Sequence, residues 1–315
     1  MQKSKQCIFS VDVEDWFHLL DVPAVPDISS WASLPSRVEA SFTRLLDLFS
    51  EQGCQVTCFF LGWIAERFPH LVREAVSRGH EIASHGYAHQ LAYTMKPRAF
   101  RADVTRARKL LEDISGTAVL GYRAPGFSST DQTPWFFSEV AASGYLYDSS
   151  VFPAQRGHGG NPNSDLGPHM VEDEMLIELP ASVAEVGRTR MCFFGGGYLR
   201  LFPYSVISHM GKRVIEDGRP LIFYIHPREI DPEHPRLPMS RARQFKSYVN
   251  LHTTEKKIRN IIRDFPVTTC RDFLFESDFE LPSKPVRGSE SPVLAGEAAI
   301  SALATSLLAR RARVA

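Results

Sequence analysis

Five short polar clusters each follow an apolar run: Asp12, Glu14 and Asp15 in SVDVEDW, His85 and His89 in SHGYAH, Arg123 in YRAPGF, Asp148 in YDSS, and His226 in LIFYIHP. Carboxylates, imidazoles and a guanidinium are the groups of metal-assisted hydrolysis. Two imidazoles with one carboxylate make a three-ligand set that leaves room for water, as in catalytic zinc and related divalent sites. His85 and His89 lie four apart, so a helical turn would put both on one face. Asp12 and Glu14 alternate in strand register and point the same way, while Asp15 belongs to the turn. One carboxylate can hold the metal and another can take a proton from water. Arg123 would then keep the basic carboxylate ionised, and His226 could hand a proton to a leaving group.

These residues must be brought together from positions more than 200 apart, and the pattern of elements supplies the means. Buried strands are expected at Cys7–Val11, Val56–Leu61, Glu81–Ser84, Val119–Tyr122, Tyr145–Tyr147, Leu176–Leu179, Pro220–Ile225 and Val267–Thr269. Between them, helices are expected from Ser36 to Gly53, with a Ser36/Glu39 capping box, and over Pro69–Arg78, Pro97–Ile114, Thr133–Ser143, Tyr204–Glu216 and Thr254–Asp264. Strand alternating with helix implies an α/β fold with a parallel sheet, whose strand C-termini gather on one face. The clusters all sit at those ends. Val151–Asp173, rich in Gly, Pro, Asn and His, reads as a long loop, with His158 placed to cover the site. Gly195–Gly197 lacks the spacing and following helix of a phosphate loop and reads as a turn allowing close backbone approach.

The five motifs, in this order and spacing, resemble those of polysaccharide deacetylases with the NodB-homology domain, over residues 6 to about 275. GGGYLRLFPY and YIHPREIDPEHPR resemble the subfamily of exopolysaccharide and surface-glycan loci. The resemblance implies a distorted (β/α)7 barrel and a divalent metal, zinc first, with cobalt, nickel or manganese as alternatives. It implies removal of an N-acetyl group from an amino sugar of an envelope glycan, exopolysaccharide or lipid- or nucleotide-linked precursor. It makes Asp12 the general base, His85 and His89 metal ligands, Arg123 the group orienting Asp12, and His226 the general acid. Asp148, Tyr147, Pro125, Trp16 and Phe127 would line the substrate groove, and Phe17 and Trp135 are further candidates for stacking on sugar rings. The family pattern has two adjacent aspartates, but Val13 follows Asp12 here, so the metal carboxylate is Glu14 or Asp15. Strand alternation favours Glu14. Relatives with altered first motifs hydrolyse cyclic amides, which keeps that reaction as an alternative, and a catalytically inactive glycan-binding module is a third reading.

Composition bounds these readings. The chain has 315 residues, 36 Lys+Arg against 36 Asp+Glu, and 43% hydrophobic residues. A neutral balance argues against a nucleic-acid partner, which selects for basic faces. Five widely spaced cysteines do not form a disulfide framework, and Cys54 and Cys58 read as packing residues. Neither a secretory signal nor an apolar run of membrane-spanning length is evident, so a cytoplasmic location, extending to the inner membrane face, is expected. Residues 1–282 are expected to be the catalytic domain. The tail 283–315 carries Lys284, Arg287, Arg310, Arg311 and Arg313 against Glu290 and Glu297, a basic extension that could touch an anionic membrane surface.

Overall fold

The structure, a computed structural model, describes residues 7–275 apart from positions 21, 23, 25, 26, 158, 172 and 173. The tail 283–315 and His158 lie outside the described residues. Eleven strands are present among those described: β1 (Cys7–Val13), β2 (Thr57–Phe60), β3 (Glu81–Ser84), β4 (Gly121–Tyr122), β5 (Tyr147–Asp148), β6 (His169–Met170), β7 (Ile177–Glu178), β8 (Ala184–Val186), β9 (Thr189–Met191), β10 (Leu221–Ile225) and β11 (Val267–Thr268). Their order across the main sheet is β10-β1-β2-β3-β4-β5-β7-β6. All neighbours from β10 to β7 are parallel, and only β6 runs antiparallel, against β7. β11 lies beside Cys7 and Ile8 of β1, and β8–β9 form a separate hairpin. The sheet curls into a distorted (β/α)7 barrel whose seam lies between β7 and β10. Ser182 bridges that seam: its hydroxyl donates to the Pro220 carbonyl at 3.1 Å and accepts from Ile222 N at 2.8 Å.

β1 shows how the sequence sorts itself on this sheet. Cys7, Phe9, Val11 and Val13 join the large core between strands and helices, while Ile8 joins a smaller cluster inside the barrel. Ser10, Asp12 and Glu14 continue the Ile8 side by the two-residue period of a strand. β10 repeats the pattern: Leu221, Phe223 and Ile225 face the helices, and Ile222 faces the interior on the side of Tyr224 and His226. The lower interior is packed by Ile8, Phe59, Ala83, Tyr147, Ile222 and Cys270. The carboxylates and imidazoles of the cavity therefore sit toward the strand C-termini, while Glu81, Thr57 and the Tyr147 hydroxyl bond to one another in the floor.

The outer layer contains the expected helices as Val38–Glu51, Pro69–Ser77, Pro97–Ser115, Phe136–Ala142, Tyr204–Glu216 and Thr254–Asp264. The Ser36/Glu39 capping box does not form. The Ser36 hydroxyl donates to the Asp15 carboxylate at 2.5 Å, and Asp15 itself receives the Arg37 and Val38 amides at 3.1 and 3.3 Å. A residue from the end of β1 thus caps the helix, which the local sequence does not announce. Short helices Gly62–Arg67, Gly196–Leu201, Arg241–Tyr248 and Cys270–Phe275 are additional. The second of these overturns the expectation that no helix follows Gly195–Gly197. The close approach is present: a Cβ on Gly195 would lie 2.2 Å from the Tyr224 ring, and one on Gly196 would lie 2.3 Å from Glu229 Oε1. No disulfide links the cysteines, and Cys7, Cys58, Cys192 and Cys270 are buried. Among the described residues no helix is long and apolar enough to cross a membrane.

Asp148 on β5 lies in register with Glu178 on β7, and both are fully buried. Burial raises Asp148 to about 6, and burial together with Asp148 raises Glu178 well above the ordinary carboxyl range. The folded state therefore holds protons that the unfolded chain releases. That stabilisation is full below the unfolded pKa, near 4, and is lost as pH rises through about 6 and beyond. Glu178→Gln keeps the acceptor for Val151 N and removes one charge. It should raise the melting temperature at pH 8 by more than at pH 5, read by thermal unfolding at both pH values. Equal shifts at the two would refute the shared proton.

Candidate active site

Arg123, immediately after β4, is 0% exposed and passes through the barrel beneath the polar end. Its Nη1 donates to Ser10 Oγ at 2.8 Å and to Asp12 Oδ1 at 2.7 Å, its Nε to the Ser149 carbonyl and its Nη2 to Ser149 Oγ. The guanidinium stacks 4.0 Å above the Phe59 ring. A buried carboxylate with this partner is fixed in place. The other oxygen of Asp12, Oδ2, lies 4.0 Å from His226 Nε2.

Glu14, His85 and His89 converge: one ligating atom from each lies within 4.8 Å of the others, and all three residues are buried. His89 Nε2 stands 2.6 Å from Glu14 Oε2, yet that oxygen is buried without a hydrogen-bond partner. His85 Nδ1 faces the Arg123 carbonyl at 2.8 Å. A carbonyl can only accept, so the proton sits on Nδ1 and the Nε2 lone pair is presented to the cluster. Burial is the main cause of lowering His85 to about 4, which keeps it neutral. An orphaned carboxylate oxygen beside two imidazole nitrogens, one with its tautomer set, fits a divalent cation. The expected helical turn between the histidines is absent. The loop turns at Gly86 (φ 73°) and at His89 itself (φ 51°), and Asp103 clamps it by accepting the Tyr87 and Ala88 amides. A positive φ at a non-glycine residue of a functional loop is strain held by its surroundings.

Asp15 does not join this cluster. Besides capping the helix, it accepts from its neighbour Trp16 N at 2.8 Å, so its carboxylate is committed to backbone amides. The structure thus separates the two candidates that the sequence left open.

The cluster opens into a cavity of about 330 Å³ lined by Asp12, Glu14, His85, His89, His226 and Phe127 among others. Phe127 is the expected groove residue that lines it. Asp148 is buried with Ser150 and Glu178, and Tyr147 donates to Glu81 Oε1 at 2.8 Å in the barrel floor. Trp16 donates to the Pro35 carbonyl, and Pro125 and Phe17 are buried. None of these five lines the cavity, and neither does Trp135, which packs on Phe100. They are too deep or on the wrong side of the strand ends.

Two groups escaped the sequence reading. Glu229, three residues beyond His226 in the turn Pro227–Ile230, holds His226 Nδ1 at 3.2 Å and pairs with the fully buried Arg200. Its i+3 spacing was the available signal. Burial alone would lower His226, but Glu14, Glu229 and Asp12 outweigh it and raise the imidazole. His18, 2% exposed, accepts the Asp15 amide on Nδ1 at 2.9 Å, which leaves the proton on Nε2. That nitrogen has no hydrogen-bond partner, and the ring lines the cavity beside His89. His18 is therefore a donor rather than a metal ligand.

Glu14→Ala should abolish stoichiometric binding of a divalent ion by the purified protein, measured by metal analysis. Asp15→Ala should retain the ion and lose about 0.5–2 kcal/mol of stability, the usual worth of a helix cap. Metal retained by the Glu14 variant and lost by the Asp15 variant would reverse the assignment.

Comparison with known proteins agrees with this geometry. Residues 31–144 match the polysaccharide deacetylase family model, and residues 149–274 match a domain of unknown function, DUF3473. A peptidoglycan deacetylase from Helicobacter pylori is 30% identical over 118 residues, 36% of this chain and 38% of that protein. A peptidoglycan-N-acetylglucosamine deacetylase from Bacillus cereus is 28% identical over 93 residues, 29% of this chain and 34% of that protein. The chain thus spans little more than a third of the length of these curated relatives. Among solved structures, one classed as a polysaccharide deacetylase from Pseudomonas aeruginosa superposes with a TM-score of 0.54 at 18% identity, over 85% of this chain and 88% of that one. Another from Mycobacterium smegmatis gives 0.51 at 21%, over 85% and 94%. An allantoinase gives 0.55 at 17%, over 85% and 88%. At these identities the structures speak for the barrel alone. Both matched regions contribute strands to one sheet, and over residues 31–144 the chain resembles the polysaccharide deacetylase family.

Proposed function

We propose that this chain hydrolyses the N-acetyl group of an amino sugar in an envelope or extracellular glycan or its precursor. One observation carries the reading: Asp12, pinned by Arg123, and His226, pinned by Glu229, face the same cavity beside the Glu14–His85–His89 cluster, with His226 Nε2 4.0 Å from Asp12 Oδ2 and 3.4 Å from Glu14 Oε1. The cluster would hold a divalent cation, zinc being the first to test. Bound there, such an ion supplies Lewis acidity, polarising a carbonyl and lowering the pKa of water.

The residues of the chain supply the proton transfers. Asp12 accepts the proton of the attacking water, and the Arg123 guanidinium holds that carboxylate in place. The water oxygen bonds to the amide carbon, the C–N bond breaks, and the departing nitrogen takes a proton from His226. Acetate and a free amine result. His226 suits the acid role because the surrounding carboxylates favour its protonated form. His18 Nε2–H offers a donor for a sugar hydroxyl or the acetamido group.

Two measurements test this. Metal-loaded protein should release acetate from N-acetylhexosamine oligosaccharides and leave allantoin unchanged, with Asp12→Asn and His226→Ala each lowering kcat by about 10²–10⁴. Turnover of allantoin without acetate release would overturn the reading in favour of cyclic-amide hydrolysis. Glu229→Gln removes one of the charges that raise His226. The alkaline limb of the pH–rate profile should therefore move to lower pH, and an unmoved limb would exclude His226 as the acid that Glu229 supports.

A further inference from the structure

The cavity wall opposite the carboxylates is cationic, and its charges do not balance. Arg200 has its own partners: its Nε pairs with Glu229 as an ion pair, and its Nη1 and Nη2 donate to the carbonyls of Ser247, Val249 and Lys246. Arg228 is not. It is 9% exposed and lines the same cavity, and its Nε and Nη1 are buried without any hydrogen bond. Its sole ion pair among the described residues is with Glu229 Oε1 at 3.8 Å, beyond hydrogen-bond reach, and that oxygen already faces His226. One carboxylate is thus confronted by two guanidiniums and an imidazole. Arg156, also on the cavity wall, lies 4.5 Å over the Phe152 ring and 5.3 Å over that of Phe127. Its Nη1 is buried without a partner, and no carboxylate pairs with it among the described residues.

A buried guanidinium without hydrogen bonds, sharing a single carboxylate at 3.8 Å with two other cations, is disfavoured unless something completes it. The planar fork of arginine matches the oxygens of a carboxylate or phosphoryl group, and its strength rises in a desolvated site. A neutral oligosaccharide would leave Arg228 as it stands. Peptide carbonyls satisfy Arg200 but are not offered to Arg228. We infer that Arg228, with Arg156, forms an oxyanion subsite, so that the amino sugar accepted by this cavity carries a carboxylate or phosphoryl group near its acetamido group. The inference rests on the deacetylase reading for the sugar, while the anion subsite rests on the two arginines alone.

The test separates the two. Acetate release is compared for neutral chitotetraose, a hyaluronan tetrasaccharide (uronate carboxylates) and UDP-N-acetylglucosamine (diphosphate), with wild type, Arg228→Met and Arg228→Lys. Wild type should favour one of the anionic substrates at least tenfold in kcat/KM, and which one identifies the anion. That preference should fall at least tenfold in Arg228→Met and be partly kept in Arg228→Lys. Equal use of neutral and anionic substrates by wild type, or an unchanged ratio in Arg228→Met, overturns the subsite while leaving deacetylation intact. Should no N-acetyl sugar be turned over, calorimetric titration with glucuronate and glucose 1-phosphate against glucose still decides. Binding of an anion weakened tenfold or more in Arg228→Met supports the subsite, and no anion preference refutes it. Arg156→Gln repeats the comparison should the Arg228→Met variant not fold.

Discussion

The guanidinium of Arg123 is the fixed point of the molecule's upper half. It binds Asp12 and Ser10 on β1 and Ser149 just beyond β5, while its backbone carbonyl sets the tautomer of His85. One residue thus aligns the Asp12 carboxylate with its side chain and a cluster imidazole with its main chain. It also divides the interior. Below it lie Ile8, Phe59, Tyr147 and Ile222 with the Glu81 carboxylate bonded to Tyr147 and Thr57, and above it the groups of the cavity. A charge this deep is tolerable because all three of its nitrogens find oxygen acceptors, one of them ionised. The base and the cluster can therefore share one rigid floor, which a polar site at the end of a small barrel requires.

The acid side is built on a different principle. His226 leaves β10 and is held by a carboxylate three residues later, inside a single turn. Glu229 in turn depends on Arg200 from the helix Gly196–Leu201 and on the absence of a side chain at Gly196. Its glycine run thus serves close approach: Gly195 admits the Tyr224 ring and Gly196 admits the Glu229 carboxylate. Any β-carbon there would push into groups on which the proton donor relies.

Much of this was legible in the sequence because strand periodicity and chain order carry it. The two-residue period put Asp12 and Glu14 on one face, and the strand ends located His85, Arg123 and His226. What sequence could not show was partner choice at a distance. Ser36 and Glu39 form a proper capping pattern, yet Asp15 reaches the helix first and is thereby removed from the cluster. Tyr147 and Asp148 read as groove residues because they border a strand end. The strand is only two residues long, however, and both side chains are consumed by buried carboxyls. His18 carries no motif, and Arg228 and Glu229, though inside the run YIHPREIDPEHPR, acquire their partners only from what packs beside them.

The boundary between the two family regions, at residues 144–149, falls inside the sheet rather than between folded units. β1 to β4 precede it and β7 and β10 follow it, so neither stretch is a barrel by itself. Asp12, Glu14, His85, His89 and Arg123 stand on one side, and His226, Glu229, Arg228 and Arg156 on the other. The break between the two recognisable stretches is therefore a division of labour within one fold. The first holds His85, His89 and Arg123, the end of β1 ahead of it holds Asp12 and Glu14, and the second holds His226, Glu229, Arg228 and Arg156. The cavity is closed only when both stretches and β1 come together in one sheet.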